Sequence, residues 1–278
     1  MTTFSLRCLK GLARHLALSA TAIFALMPFV WMLSLSLKPP DEIFLAEFHL
    51  WPDTFYGLEN YGTAFSSAPM LRFLANGVLV CSYIFFLQML VCIPCAYALA
   101  KLRFRGRDSI FSVVLIGLLV PPQALSIPHF IFIYTLGWLD TYTALVFPWI
   151  FSAFGVFLLR QFFRKIPDDL IQAARLDGLG ELEIIWRIMI PLSAPAITAF
   201  GIFSVISHWN DLFWPLIAIR SESLSTPALG ILLFRDDEAG QSHGPLMAAS
   251  VIIVAPLVFA FLFAQRRFID GLSMTSPK

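Results

Sequence analysis

The sequence predicts an all-α integral membrane protein with six transmembrane helices and both termini cytoplasmic. Three observations carry this. Only 13% of the 278 residues are charged and 58% are hydrophobic, against about 25% charged in a soluble globular domain. Six stretches, 15–37, 73–100, 109–139, 141–159, 188–210 and 239–265, contain no Asp, Glu, Lys or Arg, and roughly 20 apolar residues cross the hydrocarbon core as a helix. Lys and Arg fall unevenly on the two sides of the chain threaded this way.

The first run follows Arg7, Lys10 and Arg14. At 23 residues it exceeds the apolar core of a signal peptide, about 7–15 residues, and lacks a clear small-residue cleavage site. We expect a retained anchor. The second run holds Cys92 and Cys95 in a C-x-x-C. No histidine lies near it, and a thiol in an apolar helix acts as a small packing group, so packing is the expectation over metal or redox chemistry. The third run is too long for one simple span. Its Pro121, Pro122 and Pro128 predict a kink or an interfacial segment. Asp140 ends it within "GWLDTY", read as a tight turn with Trp138 and Tyr142 as interfacial anchors.

With a cytoplasmic N-terminus, the inner side receives Arg7, Lys10, Arg14, Lys101, Arg103, Arg105, Arg107, Arg160, Arg164, Lys165, Arg175, Arg187, Arg266, Arg267 and Lys278. The outer side receives Lys38, Arg72, Arg220 and Arg235. Fifteen against four satisfies the positive-inside rule. The outer loops are then about 38–70 and 220–244, and residues 1–278 form one membrane domain. A net charge of +1 gives no nucleic-acid footprint.

The inner segment at about 164–190 is unusually charged, and within it 172–195 reads "QAARLDGLGELEIIWRIMIPLSAP". Pro167, Asp168 and Asp169 start a helix with acids at its positive end. Gly178 is placed to stop it in a left-handed conformation. Leu170, Ala173, Ala174 and Asp177 share one side, a face of mostly small residues. A second helix begins near Glu181, with Leu182, Ile185, Trp186 and Met189 as its apolar stripe. Pro191 and Pro195 fall where it meets the bilayer. On periodicity alone this is equally a solvated connection between two spans.

The full spacing resembles the EAA loop of ABC importer permeases: roughly E-A-A-x-x-D-G-A, a spacer, an apolar position, L-P and a later P. Gln172, Ala173, Ala174, Asp177, Gly178, Pro191 and Pro195 are in register, with Gln172 in place of the usual acid and Leu179 in place of the usual Ala. "SLSLKPPDEIF", "AYALAKLRFRG", "HWNDLFWPL" and "AQRRFIDGL" resemble the carbohydrate-uptake branch, in particular the shorter membrane subunit of maltose and glycerol-3-phosphate transporters. The resemblance implies a permease subunit in the cytoplasmic (inner) membrane. Its implied partners are a second, homologous permease subunit, two copies of a cytoplasmic ATPase and an extracytoplasmic solute-binding protein. ATP and Mg would sit on the ATPase. The chain itself binds no cofactor or metal by this reading and has no G-x-x-x-x-G-K-[ST] loop. Gln172, Ala173, Ala174, Asp177, Gly178, Leu179 and Pro191 would couple to the ATPase, with movement passing through the Pro191 region to the fifth span.

Two alternatives belong to other classes. A secondary transporter or channel usually carries ionisable residues within its spans; here the runs hold no Asp, Glu, Lys or Arg, and past the opening residues of each run their histidines are His129 and His208. An intramembrane enzyme would need a motif such as H-E-x-x-H or G-x-S-x-G, and neither occurs. The polar island "SHWNDLFWP" places Trp209, Asn210, Asp211 and Trp214 as candidates along a solute path. The preferred reading is structural, with the tryptophans as interfacial anchors and Asn210 and Asp211 as caps. In the outer loop, Leu229 to Phe234 is apolar enough for a short interfacial helix. Asp236, Asp237, Glu238, Gly240, Gln241 and His243, with Gly244 granting freedom, form a candidate binding-protein contact. By resemblance to the maltose permease it would displace the solute, and a plain linker is the alternative.

Overall fold

Proline and cap residues break the apolar runs into more helices than spans. The computed structural model describes residues 2–43, 49–234 and 243–273, and side chains within 11–263 of these. Helix α1 is Thr2–Leu35, α2 is Gly57–Ser67 and α3 is Met70–Lys101. Then follow α4 (Arg107–Gly117), α5 (Ser126–Thr135), α6 (Tyr142–Val146), α7 (Ala153–Phe163) and α8 (Asp168–Leu176). Helix α9 begins at Glu181–Ile184, widens into a π-turn at Ile185–Met189 and ends at Ile190–Leu192. The last helices are α10 (Ala194–Trp209), α11 (Phe213–Ala218) and α12 (His243–Ser273). No strand occurs among the described residues.

Among the described residues, three helices are long and apolar enough to cross a membrane: residues 11–35 of α1, α3, and residues 243–263 of α12. Three further candidates are bent pairs. The predicted 109–139 run bends by 98° between α4 and α5, across a 3-10 turn at Pro122–Leu125; Pro121 and Pro122 offer no N–H to continue the ladder. The 141–159 run bends by 44° before α7, whose start is capped by Ser152 accepting from the Gly155 N–H at 3.1 Å. The 188–210 run bends by 80° between α9 and α10, at Ser193. The described residues thus hold three to six candidate spans.

The chain divides into two compact units, Met1–Met70 with Ile231–Ala255, and Leu71–Gly230 with Pro256–Lys278. In the first, buried Asn60 donates to the carbonyls of Ser36 and Lys38 at 3.0 and 2.9 Å. Gly244 is helical, and a Cβ there would come within 2.4 Å of the Asn60 amide. Close approach, rather than loop freedom, is what requires glycine at this position.

The second unit has two buried clusters. One joins Cys92, Ala96 and Tyr97 of α3 to Val156, Leu159 and Phe163 of α7, Ile171 and Ala174 of α8, and Ile184 and Met189 of α9. Cys92 and Cys95 are free thiols and Cys92 is core packing. The other gathers Val80, Ile84, Ile133, Leu145, Trp214 and Ala218. Gly155 permits α7 to meet α10, since a Cβ would lie 2.7 Å from the Phe200 ring.

The turn predicted at Asp140 is present, with Asp140 at φ 58 and Gly137 at φ 69. Asp140 donates its N–H to Ala218 at 2.9 Å and accepts from the N–H groups of Arg220 and Ser221 at 2.9 and 2.8 Å. The Ser221 hydroxyl also donates to it. These donors hold its carboxyl below the ordinary carboxylate range. Trp138 packs edge-on to Phe147 at 5.3 Å, and Tyr142 donates to Asn76 Oδ1 at 2.7 Å. Both expected anchors therefore have partners inside the protein.

Candidate functional site

Two arrangements in the second unit could carry function: the charged turn around α8, and a cavity beside α10. Helix α8 begins with Asp168 and Asp169 and ends with Arg175 in its last turn, charges that complement its dipole. Gly178 has φ 84. Its N–H reaches the Arg175 carbonyl at 3.1 Å, and the Leu179 N–H reaches the Ala174 carbonyl at 3.0 Å. This is the Schellman pattern, with the expected apolar contact supplied by Leu179 against the core. Leu in place of the usual Ala therefore has a packing role.

The proposed coupling face is only partly shared. Gln172, Ala173, Asp177 and Gly178 are exposed, as is Pro191, and Leu176 is 90% exposed. Ala174 instead turns into the core beside Ile171. The expected stripe on α9 also divides: Ile185 and Met189 are buried together with Ile184, while Leu182 and Trp186 are 70% and 62% exposed. Past Glu181, apolar side chains cover all of α9 but the face of Glu183 and Arg187, and a hydrocarbon solvent does not penalise outward ones, so periodicity alone did not select the buried face. Leu182 and Trp186 line a groove with Phe86, Leu90 and Pro94 of α3.

The end of α3 holds the turn. Tyr97 donates its hydroxyl to Glu181 Oε2 at 2.5 Å. Arg175 donates to Oε1 and Oε2 of the same carboxylate at 2.8 and 3.2 Å. Lys101 donates to the Ile166 carbonyl and to Asp168 Oδ1, each at 2.5 Å, and its ammonium holds the Asp168 carboxyl below the ordinary range. Arg160, buried against the Phe111 ring at 3.6 Å, donates to the Leu99 carbonyl at 3.1 Å.

The cavity, of about 570 Å³, is lined by residues including Gln123, Ser126, His129, Trp149, His208 and Asp211. Rings border it: His129 stands edge-on to Trp149 and Trp214, and Trp149 lies 5.3 Å from His208. Behind it, buried Gln88 donates to the Trp149 carbonyl at 2.9 Å, accepts from Ser204 at 2.7 Å and lies 3.5 Å from His208 Nε2.

Of the island residues, Asn210, Asp211 and Trp214 line the cavity and Trp209 does not. Asn210 donates to the Ile206 carbonyl at 2.8 Å, and Asp211 accepts from the Trp214 N–H at 3.3 Å. Trp214, 2% exposed, donates to the Ala144 carbonyl, and Trp209 is also buried. Neither tryptophan is an interfacial anchor, because both rings are enclosed by protein. Gln88, Trp149, His129 and His208 were missed as a group; the one sequence signal was that the two histidines fall within uncharged runs. Asp236, Asp237, Glu238, Gly240 and Gln241 lie outside the described residues, and His243 begins α12. Leu229 to Phe234 forms the end of one short turn and a 3-10 turn at Ile231–Phe234. No metal-binding cluster occurs among the described residues.

Broken apolar helices with a charged helix-turn between two of them mark a membrane component. The chain belongs to the family of binding-protein-dependent transport system inner membrane components, whose model matches residues 92–273. It is 33% identical over 259 residues to the arabinooligosaccharides transport system permease protein AraQ of Halalkalibacterium halodurans, covering 92% of each chain. It is 31% identical over 244 residues to the sn-glycerol-3-phosphate transport system permease protein UgpE of Yersinia enterocolitica, covering 87% of this chain and 84% of that one. Its fold matches the crystal structure of a bacterial ABC transporter involved in the import of the acidic polysaccharide alginate, with a TM-score of 0.83, 24% identity, and 96% and 99% of the two chains covered.

Proposed function

We propose that this chain is a permease subunit of a binding-protein-dependent ABC importer that moves a sugar or sugar-like solute into the cell. In this reading six spans cross the inner membrane with both termini cytoplasmic. A second, homologous permease completes the pore, two ATPase copies hydrolyse ATP with Mg, and this chain hydrolyses nothing itself. The ATPase docks on the exposed face of α8, through Gln172, Ala173, Leu176 and Asp177; Ala174, Gly178 and Leu179 hold that helix in place. The observation that carries the reading is the pairing, within one compact unit, of this exposed helix with an aromatic-lined polar cavity.

The cavity lining supports a neutral saccharide rather than a phosphate ester. Rings offer flat apolar surfaces, and amides and hydroxyls offer hydrogen bonds. The one acidic or basic side chain on the lining, counting Lys, Arg, Asp and Glu, is Asp211, and a carboxylate disfavours an anion. Residues 236–241 would contact the binding protein and help displace its solute, by resemblance to the maltose permease.

The test is co-purification of the chain with an ATPase subunit, followed by calorimetry of the cognate binding protein on a panel. Arabinotriose and diacetylchitobiose should bind, and sn-glycerol-3-phosphate should not. Absence of any co-purifying ATPase would reject the importer; preference for the phosphate ester would reject the neutral-sugar reading alone.

A further inference from the structure

The covalent route from α8 toward the cavity is a poor transmitter. It runs through α9, its π-turn and an 80° bend at Ser193 before reaching α10. A push passed into α9 is therefore not collinear with α10. Helix α3 offers a second route: it is one helix from Met70 to Lys101, with Pro94 between Gln88 and Tyr97 removing one ladder hydrogen bond without ending the helix.

Both ends of α8 are tied to the last turns of α3. At the start, Lys101 holds Asp168 and the Ile166 carbonyl. Past the end, Tyr97 holds Glu181, and Glu181 holds Arg175 in the last turn of α8. Between these ties, Ile171 and Ala174 pack into the cluster that contains Ala96 and Tyr97. The ties are charge-assisted, the shorter and stronger kind of hydrogen bond. The Tyr97 ring is 1% exposed and the Lys101 side chain 3% exposed. A buried phenol and a buried ammonium fix direction as well as contact, because each must keep its partner or leave a polar group unsatisfied.

Nine residues before Tyr97, about 14 Å along the helix at 1.5 Å per residue, α3 carries Gln88. Gln88 bonds the Trp149 carbonyl and reaches His208, both on the cavity wall. We infer that α3 is the connecting rod of this subunit, with Tyr97 and Lys101 as positioning residues that take up movement of α8 and Gln88 as the group that delivers it to the cavity wall. This rests on the importer reading above.

The test uses the full transporter complex and needs no identified solute. Ser207→Cys, on the cavity lining, is labelled with a methanethiosulfonate reagent with and without ATP, Mg and vanadate. The same complex lacking that cysteine is subtracted to remove native thiols. The expected parent result is a labelling rate that changes about fivefold or more, the lower end of ordinary allosteric coupling. Tyr97→Phe and Lys101→Gln should each cut that change to under about twofold while the ATPase still co-purifies and hydrolyses ATP. Glu181→Gln keeps an acceptor for Tyr97 but loses the charge facing Arg175, and should fall between. If Tyr97→Phe fails to assemble, Glu181→Gln and Gln88→Leu carry the test. A full change in these variants, with loss only in Pro191→Ala, overturns the α3 route. A parent complex that shows no nucleotide-dependent change overturns the importer reading, and this inference with it.

Discussion

Gln88 and Ser204 lie 116 residues apart in the chain and are joined by a buried 2.7 Å hydrogen bond. The same amide also serves the Trp149 carbonyl, so one side chain ties α3 to α10 and to the turn before α7. Replacing it by leucine leaves a hydroxyl and a carbonyl without this donor or acceptor. Gln88→Leu should lower the stability of the detergent-solubilised protein by about 1–3 kcal/mol, and Ser204→Ala by less, since the amide keeps its bond to Trp149. Thermal unfolding of the two variants measures this, and an unshifted Gln88→Leu midpoint contradicts it.

At Gly178 the space is open, with no atom within 4 Å of a built Cβ. The constraint is the backbone alone, at φ 84. A left-handed backbone costs an L-residue roughly 1–2 kcal/mol, and Asn tolerates it best after Gly. Gly178→Val should insert normally, co-purify with much less ATPase and lose uptake, while Gly178→Asn keeps most of both. Equal behaviour of the two would show that φ is not what matters there.

Adjacent alanines on α8 should respond in opposite ways. Ala173 is exposed, so Ala173→Trp should leave expression and unfolding temperature near the parent and abolish ATPase association. Ala174 is 5% exposed in the core, where overpacking costs about 1–3 kcal/mol, so Ala174→Trp should destabilise the subunit itself. Yield and midpoint, read beside co-purification, separate the two effects.

The Asp168 carboxyl is held below its unfolded value by Lys101. The sign follows: its contribution is present above an unfolded pKa of about 4 and disappears as pH falls through the lower folded value. Because Asp168 is largely exposed, we expect no more than about 1 kcal/mol. Asp168→Asn should unfold at a lower temperature than the parent near pH 7, with the gap closing as pH falls below the ordinary carboxylate range. A gap that stays constant over this range would place the effect elsewhere.

Local chemistry was readable in the sequence. Pro167 with its acids and Gly178 marked both ends of α8, and Pro121 and Pro122 marked the break between α4 and α5, because caps and missing donors act within a few residues. Facing was not readable. Ala173 and Ala174 differ in nothing but position, and α9 past Glu181 is apolar on all but the face of Glu183 and Arg187. The cavity was not readable either: Gln88, Trp149 and His208 meet only through tertiary packing, and each alone is an ordinary residue of an apolar helix. Trp214 was expected at the membrane surface because a tryptophan near a span end is usually an anchor, whereas the Ala144 carbonyl gives its N–H a partner indoors.

Asp140 fastens its own turn to the segment Ala218–Ser221 through one donated and three accepted hydrogen bonds. In a gate, some parts are leaf and others are frame. Two turns riveted together this way travel as one piece, and the α5, α6 and α11 ends attached to them travel too. On the importer reading proposed above, the joint between Asp140 and Ser221 is then frame, and an opening lies between this piece and something it is not bolted to.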